Sequence, residues 1–233
     1  MPVSGFEIYH ELRRRALWAR IALATMVAVD LVAVLSDLSE YFLLQRMETE
    51  DVPFSEIEAS DNRQLVVTVV QTAVFFAAAF FFIRWLHHAY RNLRPLGAGN
   101  LRYASATAVW SWFVPILNLW RPKQVINDVW RASDPEAPAD QSEGAWWGTR
   151  PPLLFAVWWF VWIVLNFVYN VATRLFLRAE TIEELQFASL LTTVSDAISV
   201  LGGLLGLAVV RRTTARQEAR AARLRSDIVA RPA

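Results

Sequence analysis

The stretch LLFAVWWFVWIVLNFVYNVAT, residues 153–173, decides the fold class. It runs 21 residues without a charged side chain. A helix needs about 20 apolar residues to cross a hydrocarbon core roughly 30 Å thick. Two further runs meet that requirement. Residues 65–83 carry no ionisable group, and residues 187–210 are interrupted only by Asp196. A fourth run, 21–44, is weaker because it holds Asp30, Asp37 and Glu40. Each acid near a span centre costs about 2.5–3.5 kcal/mol on an insertion scale. The expected fold is all-α: an integral membrane four-helix bundle, with spans at about 21–44, 65–86, 153–177 and 187–210 in one membrane domain covering 1–233.

Composition agrees. Of 233 residues, 55% are hydrophobic and 19% charged, so the charge is concentrated between apolar runs. A net charge of +1 gives no global field for nucleic acid. The chain has no cysteine, which excludes disulfides, thiolate nucleophiles and Cys-ligated metals. Ten of its 11 tryptophans lie between Trp85 and Trp162. Three spacings suit helix-start capping boxes: Ser4 with Glu7, Asp61 with Gln64, and Thr181 with Glu184. Arg13, Arg14 and Arg15 ahead of an apolar run look like the start of a signal peptide. Asp30 inside that run, with no A-x-A site after it, argues against cleavage.

Basic residues set the expected sidedness. The N-terminal stretch, the connection at 84–151 and the tail at 211–233 hold 19 of the 23 basic residues. The opposite side and the outer span ends receive only Arg46, Arg63, Arg174 and Arg178. The expectation is a multi-pass protein of the cell (inner) membrane with both termini cytoplasmic and the acidic loop 45–62 outside.

The connection between the second and third spans is the most distinctive stretch. Residues 109–120 are apolar but too few to span, and Pro115 and Pro122 interrupt a helix. Pro122 suits the start of a new one. There Val125, Ile126, Val129 and Trp130 fall on one face, opposite Gln124, Asn127, Asp128 and Arg131. Residues 105–132 are therefore expected as a re-entrant or interfacial amphipathic segment at the inner surface, a depth that suits tryptophan. Its motif residues are Trp112, Phe113, Pro115, Asn118, Trp120, Arg121, Pro122 and Trp130. A loop with Pro135, Pro138, Pro151 and Pro152 follows.

Tyr-Arg-Asn-Leu-Arg at 90–94, Trp-Phe-Val-Pro-Ile-Leu-Asn-Leu-Trp-Arg-Pro at 112–122 and Val-Trp-Arg-Ala-Ser at 129–133 carry a family resemblance. The chain resembles the domain of unknown function numbered 4328, a family of bacterial multi-span membrane proteins. The motifs cover about 85–133, with looser similarity to about 211. Lys123 stands where an aromatic is more usual. The resemblance implies a bacterial membrane location and brings no activity, cofactor or catalytic residue.

Polar residues within the spans are the candidate site, because intramembrane ionisable groups are expensive and often functional. Residue counting places Asp30, Asn166 and Asp196 in one layer with Asn170 slightly outward, and it offers Asp37 and Arg174 as a pair. Such groups serve either as bundle glue or, for Asp30 with Asp196, as a proton or cation site. Ser195, Ser199 and Gly203 repeat at spacing four, as do Gly202 and Gly206. This pattern suits close helix packing inside the bundle or a homodimer contact. His87 and His88 diverge by about 100° on a helix and poorly chelate one ion. His10 with Glu7 joins them only if the terminus folds back, so no metal and no cofactor are expected. Gly97-Ala98-Gly99 lacks a nucleotide-binding fingerprint. The seven arginines after Val210 read as topology and lipid contacts on a continuing helix.

Three functions follow, in order of preference. The first is a non-enzymatic scaffold or accessory subunit presenting the Trp-rich segment and basic tail. The second is a small transporter or channel using Asp30 and Asp196. The third is a membrane enzyme at the inner surface, with only His87, His88, Asp128 and nearby arginines to offer. Expected partners are the bilayer, its anionic lipids, and either a second copy of the chain or another protein. Nucleic acid is not expected.

Overall fold

The computed structural model describes residues 4–141 and 144–229, with side chains from Leu12 onward except that of Ile228. Six α-helices are seen: α1 (Ser4–Met47), α2 (Phe54–Arg91), α3 (Thr107–Trp110), α4 (Arg121–Ala132), α5 (Leu153–Phe176) and α6 (Ile182–Val229). Short 3-10 turns lie at Leu117–Leu119 and Ala145–Gly148. Among the described residues there is no strand, only a single bridge between Ala98 and Gln141.

α1, α2, α5 and α6 are long and apolar enough to cross a membrane. α2 has 38 residues, about 57 Å at 1.5 Å per residue, so it is longer than the roughly 30 Å hydrocarbon core requires. α1 and α6 exceed that core likewise. The last apolar run thus continues as one helix through the Ala- and Arg-rich tail, where good helix formers without Gly or Pro offer no stop.

Helix starts follow local chemistry. Glu184 N–H donates to Thr181 Oγ1 at 3.2 Å, and Thr181 N–H donates to Glu184 Oε2 at 3.3 Å, a complete capping box. Asp61 and Gln64 do not cap anything. α2 already begins at Phe54, directly after Pro53, and Gln64 lies inside it. The side chains of Ser4, Glu7 and His10 lie outside the described ones.

The chain forms two compact units. The first comprises Ala22–Ala78 and Trp158–Gly206, segments of all four long helices. α6 packs here through its glycines. A Cβ on Gly203 would stand 2.6 Å from Val27 Cγ2, and one on Gly206 would stand 3.3 Å from Trp158 Nε1. A Cβ on Gly202 would be 3.6 Å from Val161. The small-residue pattern is therefore used inside the bundle, where it lets helix backbones approach.

The second unit comprises Met1–Ile21, Ala79–Val157 and Leu207–Ala233. Its core includes Trp85, Leu86, Tyr90, Leu93, Val125, Ile126 and Val129. The apolar face of α4 is thus covered by protein and is not the lipid-facing surface the sequence suggested. Asp128, placed by periodicity on the polar face, is completely buried. Exposed apolar surface lies just upstream instead, at Phe113, Ile116, Leu119 and Trp120. A re-entrant path for 105–132 is not seen.

The tail of α6 organises this unit. Arg220, only 1% exposed, donates from Nε to Leu96 O at 2.8 Å, from Nη1 to Asp134 O at 2.6 Å and from Nη2 to Pro138 O at 3.0 Å. Gln217 donates to Ala89 O at 2.9 Å, and Thr214 accepts from Trp85 Nε1 at 3.1 Å. Arg216 pairs with Asp134 at 2.9 Å and lies over the Trp130 ring at 4.5 Å. Gly97, at φ +88°, sits so close to Ala139 O that any Cβ would overlap it. Replacing Arg220 by Ala strands several buried carbonyls that a charged donor now satisfies. The expected loss is about 3 kcal/mol of stability, read as a lower thermal midpoint in detergent. Arg220→Lys should not restore it, because a single ammonium lacks the planar fork.

Candidate functional site

The intramembrane acids converge in the first unit. Asp30, Asp37 and Asp196 are 5%, 4% and 8% exposed, values that mark three carboxyls as core residues. Asp30 Oδ2 accepts from Ser199 Oγ at 2.6 Å, and Oδ1 accepts from Gln71 Nε2 at 3.4 Å. Gln71 also neighbours Asp196. Asp196 in turn neighbours Asp37. Gln64 meets Asp37 and donates to Glu40. Ser36 donates to Gln64 Oε1 at 3.3 Å and accepts from Arg63 Nε at 3.1 Å. The result is a ladder of carboxyls and amides running along α1, α2 and α6.

Helix periodicity builds this ladder. Asp30 and Asp37 are seven residues apart on α1, and Gln64 and Gln71 are seven apart on α2. Seven residues are close to two turns, so each pair shares a face. Antiparallel packing then sets Gln71 against Asp30 and Gln64 against Asp37. The sequence reading missed both glutamines, although their matched spacing was the signal.

The rung between Asp37 and Asp196 differs from the others. Asp37 Oδ2 and Asp196 Oδ2 are buried, and among the described residues no N–H or hydroxyl donates to either. Two carboxyls can hydrogen-bond only when one carries a proton. Like charges at such range do not both persist in a buried site. Asp30 and Glu40 lie one rung away on either side.

Other candidates are placed differently. Asn166 and Asn170 are exposed on α5. Their amides donate to Trp162 O and Asn166 O, each at 2.8 Å, and take no part in the acid layer. Arg174 is exposed, while Asp37 faces Asp196, Gln64 and Arg63. Ser195 is 1% exposed and donates to Leu191 O. His87 Nδ1 lies 2.9 Å from Ser105 O and His88 Nδ1 lies 2.8 Å from Arg84 O, so each ring nitrogen is turned to a backbone carbonyl. Among the described residues no cluster of three His, Asp or Glu side chains approaches metal-binding geometry.

The second unit holds the motif residues. Trp112 Nε1 donates to Ala108 O at 3.1 Å, and its ring meets Phe82 edge-on. Arg121 lies over Tyr103 at 4.7 Å, and Tyr103 donates to Gln124 at 2.6 Å. Phe113 and Pro115 are exposed, Pro122 is buried and Asn118 is half-buried. Trp130 sits between Phe155 and Arg216. Asp128 lies 3.6 Å from Arg102 Nε and 3.8 Å from Arg131 Nη1. Burial pushes its carboxyl from the usual 3.8 up to about 6, against the pull of Arg102 and Arg131. None of these groups forms a nucleophile–base pair.

Four membrane-length helices around a buried polar ladder define a helical membrane protein. Residues 48–215 match the family described as Domain of unknown function (DUF4328), and the chain belongs to it. No curated protein and no solved structure matches. The match takes in Gln64, Gln71 and Asp196 and leaves Asp30 and Asp37 outside its bounds.

Asp128 supplies a pH test. Its folded value lies above its unfolded one, so the folded state binds the extra proton. Stability should be highest below about pH 4, fall as pH rises towards 6 and level off above that, by about 3 kcal/mol in all. Melting of the purified protein across pH 4–8 should show this decline, and Asp128→Asn should flatten it.

Proposed function

We propose that this protein is a small proton-coupled transporter or channel whose carrier group is the Asp37–Asp196 pair, with Asp30 and Glu40 as neighbouring acceptors. The observation that carries this reading is two buried acids in one polar layer, each with an oxygen that no N–H or hydroxyl among the described residues meets. Bundle glue does not require it. An Asn at either position would make the same bond without a proton, whereas two acids make a bond that opens and closes with protonation. Glutamines on α2 lie between the acids, and an amide that both donates and accepts is suited to relay between carboxyls.

The scaffold reading is less well supported. The basic tail it would present to a partner is engaged within the chain through Arg216, Arg220 and Arg223. The exposed Phe113 and Ile116 remain suited to insertion among lipid headgroups. For sidedness, the arginine distribution supports a cell-membrane protein with both termini in the cytoplasm. Reporter fusions within 45–62 should then read as external, and a cytosolic signal would reverse that orientation.

The central test is proton flux into liposomes holding the purified protein and a pH-sensitive dye, driven by a pH gradient and a potassium diffusion potential. Wild type should carry protons. Asp37→Asn and Asp196→Asn should fall to the rate of protein-free liposomes, while Asp128→Asn should retain flux. Wild-type flux equal to empty liposomes would overturn the reading.

A further inference from the structure

α5 carries a polar seam on its outer side. Asn166, Asn170 and Thr173 are exposed, and Ile163 is half-buried. The spacings of three, four and three between these residues are those of a helix–helix seam. In that seam Asn166 lies near the middle of a 24-residue helix otherwise rich in Trp, Phe, Val and Leu. Each asparagine commits one amide N–H to the carbonyl four residues back. Among the described residues no partner meets the second N–H or the side-chain oxygen, and hydrocarbon offers none.

We infer that this face of α5 pairs with the same face of a second copy of this chain, with Asn166 and Asn170 hydrogen-bonding across the junction. An amide is both donor and acceptor, so an identical amide satisfies it. That self-complementarity is what a two-fold contact needs. Copies inserted the same way in one bilayer bring their α5 helices together in parallel, aligning each asparagine with its counterpart. Buried asparagine at a seam position fixes register and oligomeric state in helix pairs. The other face suited to pairing, the Ser- and Gly-rich side of α6, is already occupied by Val27, Val161 and Trp158 within the chain. Arg174 does not oppose the contact. It lies two residues from the end of α5, where a long stem carries its charge to the water boundary. This inference requires only that α5 spans the bilayer and is independent of the proton reading.

The absence of native cysteine makes the test direct. Single Asn166→Cys, Asn170→Cys and Thr173→Cys variants should form disulfide-linked dimers in native membranes under mild oxidation. Phe160→Cys and Phe167→Cys, exposed at 68% and 71% on another side of α5, should not. Equal crosslinking at all five positions, or none on the seam, would overturn the inference. Without any cysteine, the double variant Asn166→Leu and Asn170→Leu should weaken self-association in detergent roughly tenfold, with its thermal midpoint kept. A monomeric wild type in a mild bilayer mimetic would also overturn it.

Discussion

Hydrocarbon supplies no hydrogen bonds, and that constraint organises the membrane-length helices of this protein. Every polar group buried among them must be met by another part of the chain. Asp30 is met by Ser199 and Gln71, and Gln64 joins Asp37 to Glu40. These contacts exist because polar residues on α1 and α2 recur at the same seven-residue interval, so that one packing register satisfies several rungs together. The glycines of α6 let that helix come close enough for Ser199 and Asp196 to join from the third side. Asp37 and Asp196 stand apart, because each keeps a buried oxygen that no N–H or hydroxyl among the described residues meets.

Arginine serves two ends in this chain. Its uneven distribution along the sequence bears on orientation. Several of the same residues also close the unit built from the connection and the tail. Arg220 gathers carbonyls from Leu96 and the 134–139 stretch, and Arg216 ties Trp130 and Asp134 to α6. A buried guanidinium with many carbonyl acceptors is a costly arrangement unless its fork is well matched. The left-handed turn at Gly97 brings one of those carbonyl-bearing segments into reach.

Much of this was legible from local sequence. The four membrane-length helices follow from long apolar runs, and the Thr181–Glu184 box marked the start of α6 because both of its bonds are made within four residues. The same motif at Asp61–Gln64 misled, since a helix begun earlier at Phe54 left those side chains free for tertiary contacts. Periodicity found the apolar face of α4, yet its cover is protein and Asp128 is buried with it. Amphipathicity states that a face is apolar. It does not state what covers it.

Asp30, Asp37 and Asp196 were each visible as unusual residues, because an acid in an apolar run is anomalous wherever the helix points. Counting rise per residue gave their heights, grouped Asp30, Asn166 and Asp196 in one layer and paired Asp37 with Arg174, because it cannot give direction around a helix. The rotation of each helix is set by packing against the other three. That rotation turned Asn166 and Asn170 outward, turned Asp37 onto Asp196, and drew in two glutamines with no anomaly of their own. Composition and run length therefore determined that the chain carries four helices long and apolar enough to cross a membrane. Tertiary packing alone decided which polar groups meet, because meeting depends on azimuth as well as depth.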